Sequence, residues 1–259
     1  MFVEELFSVR GKIAVVIGGG GVLGGALTEG FARAGAKVAV LSHTREKAEK
    51  QASRIKEAVA GEALAIQVDA SQKNDLLRAR DQILAEWQGI DVLINAAGIN
   101  SSTAFFDISE EEWNHILEVN LKSIFLACQI FGETLVQQGR GGSIVNLSST
   151  SSGPPLSKVF TYSISKAGVN NLTQFLAREW APYKIRVNAI TPGFFPAEQN
   201  RKILSKERTE AIFAHTPMHR FGRPEELVGA AIWLAAEKAS SFVTGAIIRV
   251  DGGFSAMTI

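Results

Sequence analysis

Cysteine is almost missing from this chain. Cys128 stands alone among 259 residues. That excludes a disulfide within the chain and a cysteine metal cluster, and it suits a reducing compartment. An excess of charge is missing too: 27 Lys and Arg against 26 Asp and Glu leave a net +1. Such a balance provides no field to hold nucleic acid or an anionic membrane surface. No apolar run reaches the ~18 residues that span a bilayer. The opening MFVEELFSVRGK places Glu4 and Glu5 ahead of its basic residues and has no apolar core before a cleavage site, so it does not read as a secretion signal. A cytoplasmic protein is expected. Proline is sparse, at 7 residues, and no Pro/Gly-rich linker or internal repeat divides the chain. One domain spanning 1–259 is therefore expected. Tyrosine occurs only twice, as Tyr162 and Tyr183.

What is present is a rhythm. Short β-branched apolar runs at 12–18, 37–42, 63–69, 91–98, 143–149, 185–193 and 246–253 alternate with amphipathic stretches. The latter predict helices over 22–35 (closed by Gly35), 44–59 (capped by Thr44), 73–87, 110–138, 161–181 and 224–236. Strands this apolar are covered on both faces. The alternation predicts an α/β doubly wound parallel sheet of about seven strands, a Rossmann fold with helices on both faces. The segment 194–217 breaks the rhythm and predicts one or two short helices. Lying after a strand end, it is placed either as a substrate lid or as a packing excursion.

The first strand runs into GGGGVLGG (18–25), which opens a helix. Glycines there let the backbone turn sharply and approach a pyrophosphate favoured by the helix N-terminus. The second strand ends LSHTR, with no Asp or Glu to bind the ribose 2′-hydroxyl of NAD. Ser42, His43, Thr44 and Arg45 are instead suited to the 2′-phosphate of NADP, so NADP is favoured over NAD. Asp69 is placed to meet an adenine amino group. Asn95 in NAAG ends the fourth strand. Asn120 sits inside a predicted helix, which for a poor helix former suggests a kink, a water site or a buried hydrogen bond.

Tyr162 and Lys166 are four apart, so a helix puts phenol and ammonium on one face. A phenol titrates near ~10, and a nearby cation favours the phenolate. A tyrosine so placed can exchange a proton with a substrate oxygen. Ser149 lies upstream in NLSS.

Together these motifs resemble the short-chain dehydrogenase/reductase family over essentially the whole chain. The matching pieces are the glycine turn, Asp69, NAAG, Asn120, NLSS, Tyr162-x-x-x-Lys166, RVNAITPG and VTGAIIRVDGG. The resemblance implies a catalytic tetrad of Asn120, Ser149, Tyr162 and Lys166. In it Ser149 binds the substrate oxygen, Tyr162 moves the proton, Lys166 lowers the phenol's pKa and holds the nicotinamide ribose, and Asn120 positions a water. The cofactor contacts implied are Gly18, Gly20, Gly21, Val22, Leu23, Gly24, Ser42, His43, Thr44, Arg45, Asp69, Ala70, Asn95, Ala96, Ala97, Gly98, Tyr162, Lys166, Pro192, Gly193 and Phe195. Ile17, Val22 and Ala197 depart from the family pattern at the glycine turn and after PG.

GGGGVLGGAL, PGFFPAEQNR, AHTPMHRFGRPEEL and FVTGAIIRVDGGFSA are similar to the D-mannonate oxidoreductase (fructuronate reductase) branch, and NAAGIN to the gluconate 5-dehydrogenase branch. The implied substrate is a sugar acid, polyol or ketose. Arg201, Lys202, His215 and Arg220 are candidate carboxylate partners. A 3-oxoacyl thioester reductase and a non-catalytic dinucleotide sensor are the alternatives. No metal is implied, and Pro217 separates His215 from His219. The resemblance also implies a homotetramer, formed through the helices near 110–138 and 161–181 and the C-terminal strand.

Overall fold

The structure, a computed structural model, describes residues 2–154, 156–196 and 205–257. Seven strands form one parallel sheet: β1 (Ile13–Ile17), β2 (Lys37–Ser42), β3 (Ala63–Gln67), β4 (Val92–Asn95), β5 (Gly142–Leu147), β6 (Ile185–Pro192) and β7 (Ile247–Val250). Their order is β3-β2-β1-β4-β5-β6-β7. The order reverses between β1 and β4, where Val15 pairs with Leu93. In open α/β sheets such a switch point leaves a crevice beyond the carboxyl ends of the strands.

Side chains of β1 show why both faces are covered. Ile13, Val15 and Ile17 enter one core, and Ala14 and Val16 enter the other. Each strand residue points opposite to its neighbour, so a continuous apolar run needs helices on both sides. One face is covered by α4 (Lys73–Trp87), α6 (Ser123–Gln138) and α7 (Phe160–Trp180), and the other by α2 (Val22–Arg33), α3 (Arg45–Val59) and α9 (Val228–Ala235). A first helix, α1 (Phe2–Leu6), has no buried residue and no counterpart in the sequence reading.

The helix expected over 110–138 is α5 (Glu110–Leu117) joined to α6 through a π-helical turn at Glu118–Lys122. Asn120 lies in that turn. A π turn inserts one residue into the helical ladder, the kink that Asn120 suggested. The run Glu110–Gln138 is long and apolar enough to cross a bilayer. However, 61% of its most apolar window is buried inside the fold, and Ile124, Phe131 and Leu135 belong to the core. Within 194–217, the described part contains one helix, α8 (Lys206–Ala214), capped by Ser205, whose side chain accepts from Arg208 N. A short α10 (Glu237–Ser240) follows α9.

Candidate active site

Two cavities open at the switch point, of about 740 Å³ and 670 Å³. They share the walls Gly21, Ala96, Ala97, Gly98 and Ile99, so they form one continuous cleft. The first contains Val22, Leu23, Gly24, Ser149, Tyr162, Lys166, Pro192, Gly193 and Phe195; the second contains Gly18, Ser42, His43, Thr44, Asp69 and Ala70.

Glycine is required where β1 meets β4. Gly18 has φ +80°, and a Cβ there would lie 2.6 Å from Ala97 N. A Cβ on Gly24 would collide with the Gly18 carbonyl. A Cβ on Gly20 would come within 2.8 Å of Ser42 Oγ and 2.9 Å of Lys47 Cβ, although Gly20 itself lines neither cavity. α2 begins at Gly21, which offers no side-chain cap. Helix N–H groups of a first turn need acceptors, and the dipole there favours an anion. These residues fit a dinucleotide: bare backbone and an uncapped helix start for its phosphates, with hydroxyls and a cation beyond.

The Asp69 carboxylate is held by Ser71, whose N–H and hydroxyl donate to Oδ1 at 3.0 and 2.7 Å. Burial opposes its ionisation, but these bonds, together with His43 and Lys122 nearby, outweigh burial and its pKa falls below the usual value. Asn95 lies beneath the cleft and donates to Asn146 Oδ1 at 2.8 Å. Asn95 Oδ1 is buried with no hydrogen-bond partner among the described residues.

Around Tyr162 the groups interlock. Ser149 Oγ accepts from Ser151 N at 3.2 Å and Ser151 Oγ at 3.1 Å, which leaves the Ser149 proton to donate into the cavity, toward Tyr162. Lys166 is 3% exposed and donates from Nζ to the Leu147 carbonyl at 2.8 Å, leaving two ammonium protons. Burial lowers the Lys166 pKa to about 8. Its Nζ is 5.7 Å from the Tyr162 ring centre. Burial also pushes the Tyr162 phenol up from its ordinary value, against a hydrogen bond with Ser149. This corrects the expectation that Lys166 depresses the phenol: desolvation dominates at Tyr162.

Asn120 lines neither of these two cavities. Its Oδ1 accepts from Ile99 N at 2.8 Å, and its Nδ2 donates to Ile99 O at 2.9 Å and Ser165 Oγ at 3.1 Å. Both amide protons are thus spent on protein. Asn120 thereby fixes the loop between the two cavities, with one Oδ1 lone pair to spare.

The sequence profile described as enoyl-(acyl carrier protein) reductase matches residues 21–255. The "uncharacterized oxidoreductase UxuB" of Bacillus subtilis (strain 168) is 40% identical over 270 residues, covering 96% of each chain. The chain belongs to the short-chain dehydrogenase/reductase family. Solved structures of the family agree. A gluconate 5-dehydrogenase from Burkholderia cenocepacia J2315, in complex with NADP and tartrate, superposes with TM-score 0.93 at 30% identity, over 99% of this chain and 100% of that one. A protein from Haemophilus influenza with bound NAD, described provisionally as a D-mannonate oxidoreductase, gives TM-score 0.91 at 32% identity over 99% of each chain.

Within this short-chain dehydrogenase/reductase, four expectations change. Arg45 turns outward and donates to Glu49 Oε1 at 2.8 Å; the cation in the cleft wall is Lys47, two residues on. Thr44 occupies the N-cap of α3 but makes no side-chain capping bond. Arg220 grips Glu226 with both guanidinium nitrogens and, with Arg223, holds that carboxyl down at about 2, outside the cleft. His215 and His219 face different rings, Phe254 and Phe213. Arg201, Lys202 and Ala197 lie outside the described residues. Sequence reasoning missed Lys47, Ser151 and Arg208, all of which line the cleft.

Proposed function

We propose that the chain interconverts a secondary alcohol and a ketone on a sugar acid, using NADP or NAD. One observation carries this reading: Ser149, Tyr162 and Lys166 share a cavity that continues into a glycine-walled cleft. The sugar-acid class draws support from the gluconate 5-dehydrogenase relative and its bound tartrate.

The bound nicotinamide would supply or accept the hydride. Gly18 to Gly24 would hold the pyrophosphate, Asp69 and Ala70 the adenine side, and Lys166 the ribose hydroxyls through its two remaining protons. Ser149 donates to the substrate oxygen, because Ser151 already fills its acceptor side. Tyr162 gives its proton to a ketone oxygen in reduction and takes one from the alcohol in oxidation. Thr44 and Lys47 would receive a 2′-phosphate, which favours NADP. The described part of 194–217, with Phe195 and α8 in the cavity wall, supports a substrate-enclosing role for that segment.

Self-association is proposed on the same chain. Phe125 on α6 and Phe175 on α7 are 49% and 59% exposed, on the helices expected to pair copies. Light scattering showing a monomer would oppose this.

The main test is Tyr162→Phe against a panel of hexonates, ketohexonates and polyols with both cofactors. Turnover of the best substrate should fall roughly 100- to 10,000-fold, with NADPH affinity retained. Near-normal turnover would overturn the reading. Tight cofactor binding with no turnover by the wild-type enzyme would favour a sensor instead.

A further inference from the structure

We propose that Arg208 seats the substrate's carboxylate, the contact that selects acids over uncharged ketoses. This inference rests on the sugar-acid reading above. α8 presents Arg208 and Ile212, four apart and hence on one face, to the cavity that holds Ser149 and Tyr162. Ile212 is buried and anchors the helix, which leaves the guanidinium at the cavity's outer wall. The nearest polar partner recorded for that guanidinium is Ser157 Oγ, 3.5 Å from Nη1, at the limit of a hydrogen bond.

The charge inventory of this cavity is one-sided. Among the described residues in its wall, the cations are Lys166 and Arg208, and none is acidic. Lys166 is buried, held by the Leu147 carbonyl, with its two remaining protons assigned above to the ribose hydroxyls. Arg208 forms no ion pair among the described residues, whereas Arg220 is clamped by Glu226. A planar guanidinium with free N–H groups matches a carboxylate through two parallel hydrogen bonds. Two anionic groups could meet Arg208, a substrate carboxylate and a cofactor phosphate, because the start of α2 lines the same cavity. Ser157, its neighbour, lies in the loop leading into α7, the helix that carries Tyr162, which favours the substrate. A hexonate reacting at C5 carries its carboxylate four carbons from the reacting centre. With that centre at Tyr162, the acid end extends toward the outer wall.

The test compares Arg208→Gln, Arg208→Lys and wild type. Two activities are measured with NADPH, reduction of 5-keto-D-gluconate and of an uncharged ketose, D-fructose. The ratio of their kcat/KM values should fall about 10- to 100-fold in Arg208→Gln and recover in part in Arg208→Lys. An unchanged ratio would overturn the proposal. So would an equal loss of NADPH affinity by fluorescence titration, since that would assign Arg208 to the dinucleotide. Tartrate binding to the enzyme–NADPH complex, measured by calorimetry, needs no turnover and should weaken by a similar factor in Arg208→Gln. Unchanged tartrate affinity also overturns it. A wild-type enzyme that binds tartrate through Arg208 yet reduces no ketohexonate would overturn the proposed substrate class and leave the carboxylate seat standing.

Discussion

Asn120 and Ile99 exchange hydrogen bonds in both directions: the Ile99 N–H donates to Asn120 Oδ1 at 2.8 Å, and Asn120 Nδ2 donates to the Ile99 carbonyl at 2.9 Å. The side chain thus behaves like a strand partner for one loop residue. It ties the π turn between α5 and α6 to the wall shared by both cavities.

Asn120→Ala would leave the Ile99 backbone groups and one bond to Ser165 unmet. The expected destabilisation is about 2–3 kcal/mol, read as a lower urea midpoint at unchanged slope. NADPH affinity should fall with it, because Ile99 and Gly98 line the cleft. A variant with wild-type midpoint and wild-type affinity would contradict the tie.

Cofactor choice should depend on Lys47 and be indifferent to Arg45. Lys47→Glu is expected to weaken NADPH by about tenfold or more while NADH changes little. Arg45→Ala breaks an exposed pair with Glu49 and should leave the melting temperature and both cofactor affinities near wild type. Fluorescence titration of the two variants with both cofactors decides. A larger effect from Arg45 would reverse the assignment.

The buried titratable groups set a pH profile of stability. Lys166 has its folded pKa lowered from 10.5 to about 8. Between those values the unfolded chain binds the extra proton, so stability rises with pH through that window. Cys128 is shifted the other way, from 9.0 to about 12, by burial. Above 9 the unfolded thiol ionises first, so its contribution falls as pH rises; the raised Tyr162 acts in the same sense above 10. Melting temperature should climb from pH 8 toward 9 and then level or decline. Lys166→Met should lose the climb, and Cys128→Ala should soften the decline. A steady fall from pH 7 in the wild type would refute the Lys166 contribution.

The sequence predicted the sheet well because buried parallel strands are written as unbroken apolar runs, and β2 ends where polar residues bound it at 37–42. Strands β3, β4 and β5 stop short of the expectation. Val68, Ala96 and Ser148 follow the strand ends: each N–H still donates to the neighbouring strand, at the Ser42, Ile17 and Ile190 carbonyls, and each residue already lines the cleft. Asn120 announced its π turn because an amide at an apolar helical position needs buried partners. Arg45 misled because a sequence gives position along a helix but not its rotation about the axis. Residues 45 and 47 differ by about 200° around α3, so one faces Glu49 and the other the cleft. Arg208 was invisible for a related reason: the inserted segment carries no periodic signal to say which of its faces meets the sheet.

The reversal of strand order between β1 and β4 also bears on how the molecule comes into being. Asp91 accepts a hydrogen bond from Ile13 N across a sequence separation of 78. Closing that distance is entropically slow compared with pairing along the chain. During synthesis, β1 and β2 can associate while the ribosome is still making α4, but the glycine turn has no opposite wall until β4 emerges. Ser149 and Tyr162 emerge later still. Cofactor capture would therefore be among the last properties the growing polypeptide acquires, and the dinucleotide would stabilise only chains whose first and second halves have already met.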